Sequence, residues 1–338
     1  MVRSRVSLPA VLMCAVVAVM LFGSIAAAQF GPEMYGIVGR FGMGTPVPAR
    51  VLAMGGQVSC VNDNQFANPA FAAVQQESSV GLRVTTTDFA NGPDLTSEMV
   101  HFTLPIRPNR QGMQISFMNL GSSSNFMMMP VPAGPVNMRM TESALVVDFG
   151  QRLTHRLTAG LSVLGYENVS MNITSAMLPV VLADIHDKAS YGFRGGLAYE
   201  LAPGDFAGVL YNYSRDEVTT SGVAVLPGTN FDSSELVLGV SRHLTPQLLL
   251  AAEWQHGALE ATGFKSSANT WLFGAEYQAT PAWALRAGFS DSNFHCGFGW
   301  SGENWRAEYA HISNWNDSDV KQLFGGSDTH SFEVMYRW

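Results

Sequence analysis

The sequence predicts an all-β fold: a transmembrane antiparallel up-and-down β-barrel of about 14 strands with an N-terminal plug segment. Three observations predict it. The chain opens on an export leader, apolar and polar residues then alternate to the last residue, and the connections are short and long by turns. Composition agrees. Of 338 residues, 47% are hydrophobic and 14% charged, yet mean hydropathy is only +0.09. Averaging a greasy face with a polar face gives such a value. With 27 acidic against 19 basic side chains, the net charge is −8. That excludes a nucleic-acid partner, which needs a basic face, and the apolar content excludes disorder.

Residues 1–28 read as a secretory signal peptide. Arg3 and Arg5 form its positive region, Leu8 to Phe22 its apolar region, and Ala26-Ala27-Ala28 a small-residue cleavage site. Cys14 lies inside the apolar region and reads as filler. Cleavage leaves a mature charge of −10 and two cysteines, Cys60 and Cys296. Two cysteines make no disulfide framework, and whether they bridge stays open. No zinc spacing surrounds them, the eight histidines are scattered, and His295 and Cys296 would point to opposite faces of a strand. Neither a metal nor a cofactor is expected.

Residues 29–77 precede the first strand. With fourteen strands the lumen exceeds what wall side chains can fill, so this segment is expected to fold inside as a plug or hatch. Gly55, Gly56, Asn68 and Pro69 mark its tight turns. The barrel then occupies 78–338. Its candidate strands are about 78–89, 97–107, 110–122, 142–154, 156–167, 188–201, 205–219, 235–244, 247–258, 269–280, 283–291, 293–301, 305–314 and 329–338. In the tenth, Trp271, Phe273, Ala275 and Tyr277 oppose Thr270, Gly274, Glu276 and Gln278. In the last, Phe332, Val334, Tyr336 and Trp338 oppose Ser331, Glu333, Met335 and Arg337. A secreted sandwich or an outer-membrane barrel both allow this pattern.

The turns argue for the barrel. Tight connections at Pro108-Asn109, Thr154-His155, Pro203-Gly204, Thr245-Pro246, Thr280-Pro281 and 302–304 alternate with longer ones at 90–96, 123–141, 168–187, 220–234, 259–268 and 315–328, and only the link near Asp291-Ser292 is short among the latter. Three tight turns share a phrase: Arg152-Leu153-Thr154, His243-Leu244-Thr245 and Gln278-Ala279-Thr280. All seven Trp lie between 254 and 338, and Trp283, Trp300, Trp305 and Trp338 fall near turn ends, as an aromatic girdle requires.

Two segments carry a family resemblance. Phe332-Glu333-Val334-Met335-Tyr336-Arg337-Trp338 resembles the C-terminal signal of outer-membrane barrels, which implies the barrel-insertion machinery as a partner. Ala49 to Gly56, including Met54-Gly55-Gly56, runs on through Asn62-Asp63-Asn64 to Asn68-Pro69-Ala70. It is similar to the N-terminal motif of FadL-type long-chain fatty-acid transporters and PorV/PorQ-type barrels. Phe71 stands where those families often place a further Gly. The resemblance implies a plug built on Met54, Gly55, Gly56, Asp63, Asn68, Pro69 and Ala70. It also implies transport of hydrophobic compounds such as fatty acids across a Gram-negative-type outer membrane, with membrane lipid around the barrel. The PorV branch implies a partner role in protein secretion or surface attachment instead.

Long loops of ordinary porins are polar. Here Phe126-Met127-Met128-Met129-Pro130-Val131, Met177-Leu178-Pro179-Val180-Val181-Leu182 and Val223 to Pro227 are apolar runs broken by one proline each. Methionine adapts to varied apolar shapes, so Phe126, Met127, Met128, Met129, Met177 and Leu178 are candidate capture residues for a hydrophobic small-molecule ligand. The bland reading is a lid of loops packed on each other. On the polar phase, charged residues are expected to pair, though Arg194 or Arg286 would also suit a ligand carboxylate. An enzyme reading rests on His311-Ile312-Ser313-Asn314, which resembles the His-x-Ser-Asn of outer-membrane phospholipase A and lipid A deacylases. His311 and Ser313 share a strand face, but the sequence offers no clear third member, and the expectation is no catalysis.

Overall fold

The computed structural model describes residues 47–63, 67–90, 94–126, 136–175, 181–221, 229–261, 264–290, 293–313 and 326–338. The expected leader and residues 29–46 lie outside them. Fourteen strands form one closed barrel. They are β1 (Ser79–Phe89), β2 (Leu95–Arg107), β3 (Gln111–Phe126), β4 (Val136–Arg152), β5 (Leu157–Ser175), β6 (Val181–Ala202), β7 (Asp205–Ser221), β8 (Thr229–Thr245), β9 (Leu248–Ala261), β10 (Phe264–Gln278), β11 (Trp283–Ser290), β12 (Asn293–Ser301), β13 (Trp305–Ser313) and β14 (Ser327–Arg337). Each pairs antiparallel with its sequence neighbours. β1 closes on β14 from Ser79↔Arg337 to Phe89↔Ser327. Closure matters because an unpaired backbone group in hydrocarbon costs several kcal/mol, and a barrel has no edge.

Burial decides between sandwich and barrel. The polar phase is inside: Arg83, Glu253, Glu308 and Glu333 are all buried. The apolar phase is outside: Leu82, Leu161, Trp271, Phe289 and Phe332 are each more than half exposed. A water-soluble sandwich does the reverse. At the turn end the predicted girdle is in place. Trp283 and Trp300 face each other across β11 and β12, and the Trp305 and Tyr336 rings lie 4.9 Å apart.

The repeated turn phrase has a local cause. Thr154 Oγ1 accepts from the amides of Arg156 (3.3 Å) and Leu157 (3.0 Å). Thr245 does the same for Gln247 and Leu248, and Thr280 for Ala282 and Trp283. A hydroxyl thus satisfies the amides that a two-strand reversal leaves bare.

One expectation is corrected. The sequence reading assigns 123–141, 168–187 and 220–234 to loops, but most of these residues continue the ladders. β5 and β6 run 19 and 22 residues, against 8 for β11. A tilted span takes about 9–11 residues, so this side of the wall rises well beyond the membrane. Above the lipid both faces meet water. The apolar alternation that marks a strand disappears there, while backbone pairing does not need it. The tips, 127–135, 176–180 and 222–228, lie outside the described residues.

Candidate functional site

The described part of the N-terminal segment sits within the barrel, against the inward face of the wall. A short helix, α1 (Ala49–Ala53), leads into Met54-Gly55-Gly56. Gly55 and Gly56 take φ of +99° and +93°, and their amides return to Leu52 O (3.1 Å) and Val51 O (2.9 Å). Two left-handed glycines therefore end the helix and leave the Met54 carbonyl facing the wall. That carbonyl lies so close to Gly274 and Gly288 that a Cβ on either would overlap it. These two glycines are cross-strand partners, so they form one notch for one carbonyl. Gly208 receives Ser59 O in the same way.

The second turn of the plug is a 3-10 helix, Pro69–Val74, capped by Asn68. Asn68 Oδ1 accepts from Ala70 N at 3.0 Å, while Nδ2 donates to Ser59 O (2.9 Å) and to the wall carbonyls of Leu197 and Val209 (3.3 Å each). Phe71, unusual for the motif, is fully buried and meets Phe206 edge-on at 5.1 Å. A larger side chain is thus used where a bulky partner on β7 needs filling against.

Wall side chains complete the seat. Glu253 accepts from Val58 N (3.1 Å) and Ser59 N (2.7 Å), and Glu333 from Ala49 N (3.0 Å). His295 Nδ1 lies 2.8 Å from Leu52 O. A carbonyl only accepts, so Nδ1 carries the proton and Nε2 accepts from Ser290 Oγ at 2.8 Å. At the turn end, Arg50 and Asp63 of the plug join Glu276, Arg286, Arg306 and Glu308 of the wall. Arg50 grips Glu276 with two donors at 2.7 Å each. Arg306 grips Asp63 at 2.8 and 3.0 Å. Arg286 bridges Glu276 and Glu308.

Burial by itself would raise the Asp63 carboxyl. Arg306 and then Arg50 outweigh it and hold the group below the ordinary carboxylate range. A depressed carboxyl contributes stability that is complete above its unfolded pKa, near 4, and is lost as pH falls through its lower folded value. Plug attachment should therefore weaken below about pH 4. Hydrogen exchange of residues 47–63, corrected for intrinsic rates, should be faster at pH 3 than at pH 7. Equal protection at both would refute the coupling.

Met54, Gly55, Gly56, Asp63, Asn68, Pro69 and Ala70 all lie buried in this segment. Of the predicted ligand residues, Arg194 donates to Asp148 (2.7 Å), Ser162 and the plug carbonyl of Ala67, so it tethers plug to wall. Arg286 belongs to the ionic network. Phe126 ends β3, and Met127, Met128, Met129, Met177 and Leu178 lie outside the described residues.

Two features escaped the sequence reading. Met99, Met118 and Ala144 form an apolar cluster on the inward face of β2, β3 and β4, on the loop side of the level where Gly112 and Gly150 receive the plug. The available signal was methionine on the polar phase, in step with His101 and Thr103. The other feature is a seam. β5 and β6 pair up to Val163↔Phe193 and resume at Ser170↔His186 in the same register, but the six pairs between form no ladder. β4 and β5 slip at Gly165, and β6 and β7 slip at Lys188. Each slip is a bulge that twists a strand away from its neighbour.

His311 and Ser313 lie on the outer phase of β13. The His311 ring stands 4.8 Å from that of His330, and its Nδ1 is buried with no hydrogen-bond partner among the described residues. A catalytic imidazole needs an acceptor at that nitrogen to orient it. Cys60 is buried in the plug and Cys296 lies on β12, and both are free thiols. Burial, with Glu253 nearby, pushes the Cys60 thiol up, which makes it inert.

No family model and no curated protein matches the sequence. Solved structures do match. The Ralstonia pickettii toluene transporter TbuX aligns with a TM-score of 0.61 at 17% identity, over 85% of this chain and 97% of its own. The Pseudomonas putida toluene transporter TodX aligns at 0.59 and 17% identity, over 85% and 96%. A Pseudomonas aeruginosa FadL homologue aligns at 0.53 and 13% identity, over 86% and 98%. At these identities the likeness concerns the fold, and the fold of this chain is that of a FadL-type barrel.

Proposed function

We propose that the chain is an outer-membrane channel for hydrophobic small molecules, exported by a cleaved leader and closed by its N-terminal plug. The observation that carries the reading is the apolar cluster Met99, Met118 and Ala144, which faces inward on the loop side of the plug. Arg83 donates to Met99 Sδ at 3.1 Å, and the rest of the cluster offers an apolar solute a surface of its own kind. The named activities of the structural neighbours, toluene transport and FadL homology, support the same class.

The apolar tips, from Phe126-Met127-Met128-Met129 to Met177-Leu178, would capture solute outside. The inner patch would receive it, and the β5–β6 seam would pass it sideways. The C-terminal Phe332–Trp338 segment, seated between β13 and β1, would direct insertion.

Proteoliposomes carrying the protein should take up labelled toluene at least tenfold faster than protein-free vesicles. Labelled oleate in a parallel arm tells whether long-chain fatty acids share the route. Flux of neither, with co-purification of a large secretion complex, would overturn this reading in favour of a PorV-type partner role.

A further inference from the structure

We propose that the turn-side mouth of the barrel is a binding site for a carboxylate, with Arg337 as its principal contact. The inference goes beyond the flux reading and does not depend on it. A cavity of about 250 Å³ opens there, between the plug and the wall. Ala282 and Ser301 at its rim place it at the tight turns, which is the periplasmic end of an exported barrel. Four guanidiniums line it, those of Arg50, Arg286, Arg306 and Arg337, together with Glu276 and Glu308.

The charges do not balance. Arg50, Arg286 and Arg306 are matched by three acids: Glu276, Glu308 and the adjoining Asp63. Arg337 is left over. Its Nε is buried and has no hydrogen-bond partner among the described residues. The nearest acid, Glu77, is 3.8 Å from Nη1 and 60% exposed, beyond hydrogen-bond reach and screened by water. Arg337 is therefore the one guanidinium of the cavity whose charge is only weakly matched, by the exposed Glu77. That charge sits on a planar fork whose geometry matches a carboxylate bidentately. The wall around it is almost wholly polar, so the site takes the charged group and not an apolar chain. A monoanion restores neutrality, whereas a dianion would overshoot it.

The occupant is then either a small free acid or the carboxylate head of an amphiphile, and one experiment separates them. Saturation-transfer NMR on the folded, amphipol-held barrel would use sodium acetate as the probe, ethanol as the neutral control and sodium octanoate as competitor. Acetate should show transfer and ethanol none. R337Q should reduce the acetate effect at least fivefold, and R337K should recover part of it. Because Arg337 lies in the closing strand, E77Q provides the variant without folding risk. Removing the competing carboxylate should strengthen acetate binding at least twofold. Octanoate competing tenfold better than acetate assigns the site to an amphiphile head, and equal competition assigns it to a free acid. Acetate transfer that is the same in R337Q and unchanged in E77Q, or equal transfer from ethanol, would overturn the proposal. A barrel that passes neither toluene nor oleate yet binds acetate in this pattern would refute the channel and leave this site standing.

Discussion

Gly288→Val is expected to unseat the plug and open the barrel. The Met54 carbonyl occupies the space a side chain at Gly288 would fill, and the atoms met there are backbone, not the end of a flexible side chain. β11 is paired on both sides, with β10 and β12, so the wall has little room to retreat. The plug turn is held by the amides of Gly55 and Gly56, which donate to Leu52 O and Val51 O. The cheaper response is for residues 54–56 to leave their notch. Liposomes carrying the variant should swell in arabinose at least tenfold faster than those carrying the native protein. Gly195→Val is the control, since a Cβ at Gly195 meets nothing. It should stay closed. Both proteins should keep the shift in gel mobility on boiling that marks a folded barrel. Swelling of folded Gly288→Val at the native rate would show that this notch does not hold the lumen shut.

Locking the β5–β6 seam is expected to stop hydrophobic flux. Carrying the flanking register across the six unladdered positions would bring Glu167 opposite Ala189. A disulfide there requires the two strands to close to ladder spacing, which is the locked state. The double variant Glu167→Cys, Ala189→Cys should, once oxidised, lose at least tenfold of the toluene uptake, and a reductant should restore it. The physical case rests on backbone satisfaction. Unpaired strand backbone survives at membrane depth only where it borders protein or water, which here means the lumen. A cross-linked variant, confirmed by its gel mobility, that still transports at the native rate would remove the seam from the route. The channel itself would remain.

The two effects differ in what the sequence exposes. The phrase Leu-Thr at 153–154 and 244–245 marks turns because Thr oxygen and the amides it receives are two and three residues apart. Strand phase was equally plain from Trp271, Phe273 and Phe332. The seam was not, because it depends on slips at Gly165 and Lys188, where neighbouring strands differ by one residue and the composition does not change. The upper strands were read as loops for a related reason: outside lipid, alternation is no longer demanded. Arg194 and Arg286 were visible as charges on the inner phase. Which acids they meet was not.

The alternation and the turns were enough for the barrel: its fourteen strands, the phase of each and the turn end. All of these follow from neighbours along the chain, where a period of two and a tight turn leave a direct trace. Long-range packing alone puts the Met54 carbonyl against Gly274 and Gly288 and Arg194 on the plug. It alone also decided that Asp63 pairs with Arg306, 243 residues away. Closing the sheet brings those groups together. One-residue differences in register choose the partners, and no local pattern records them.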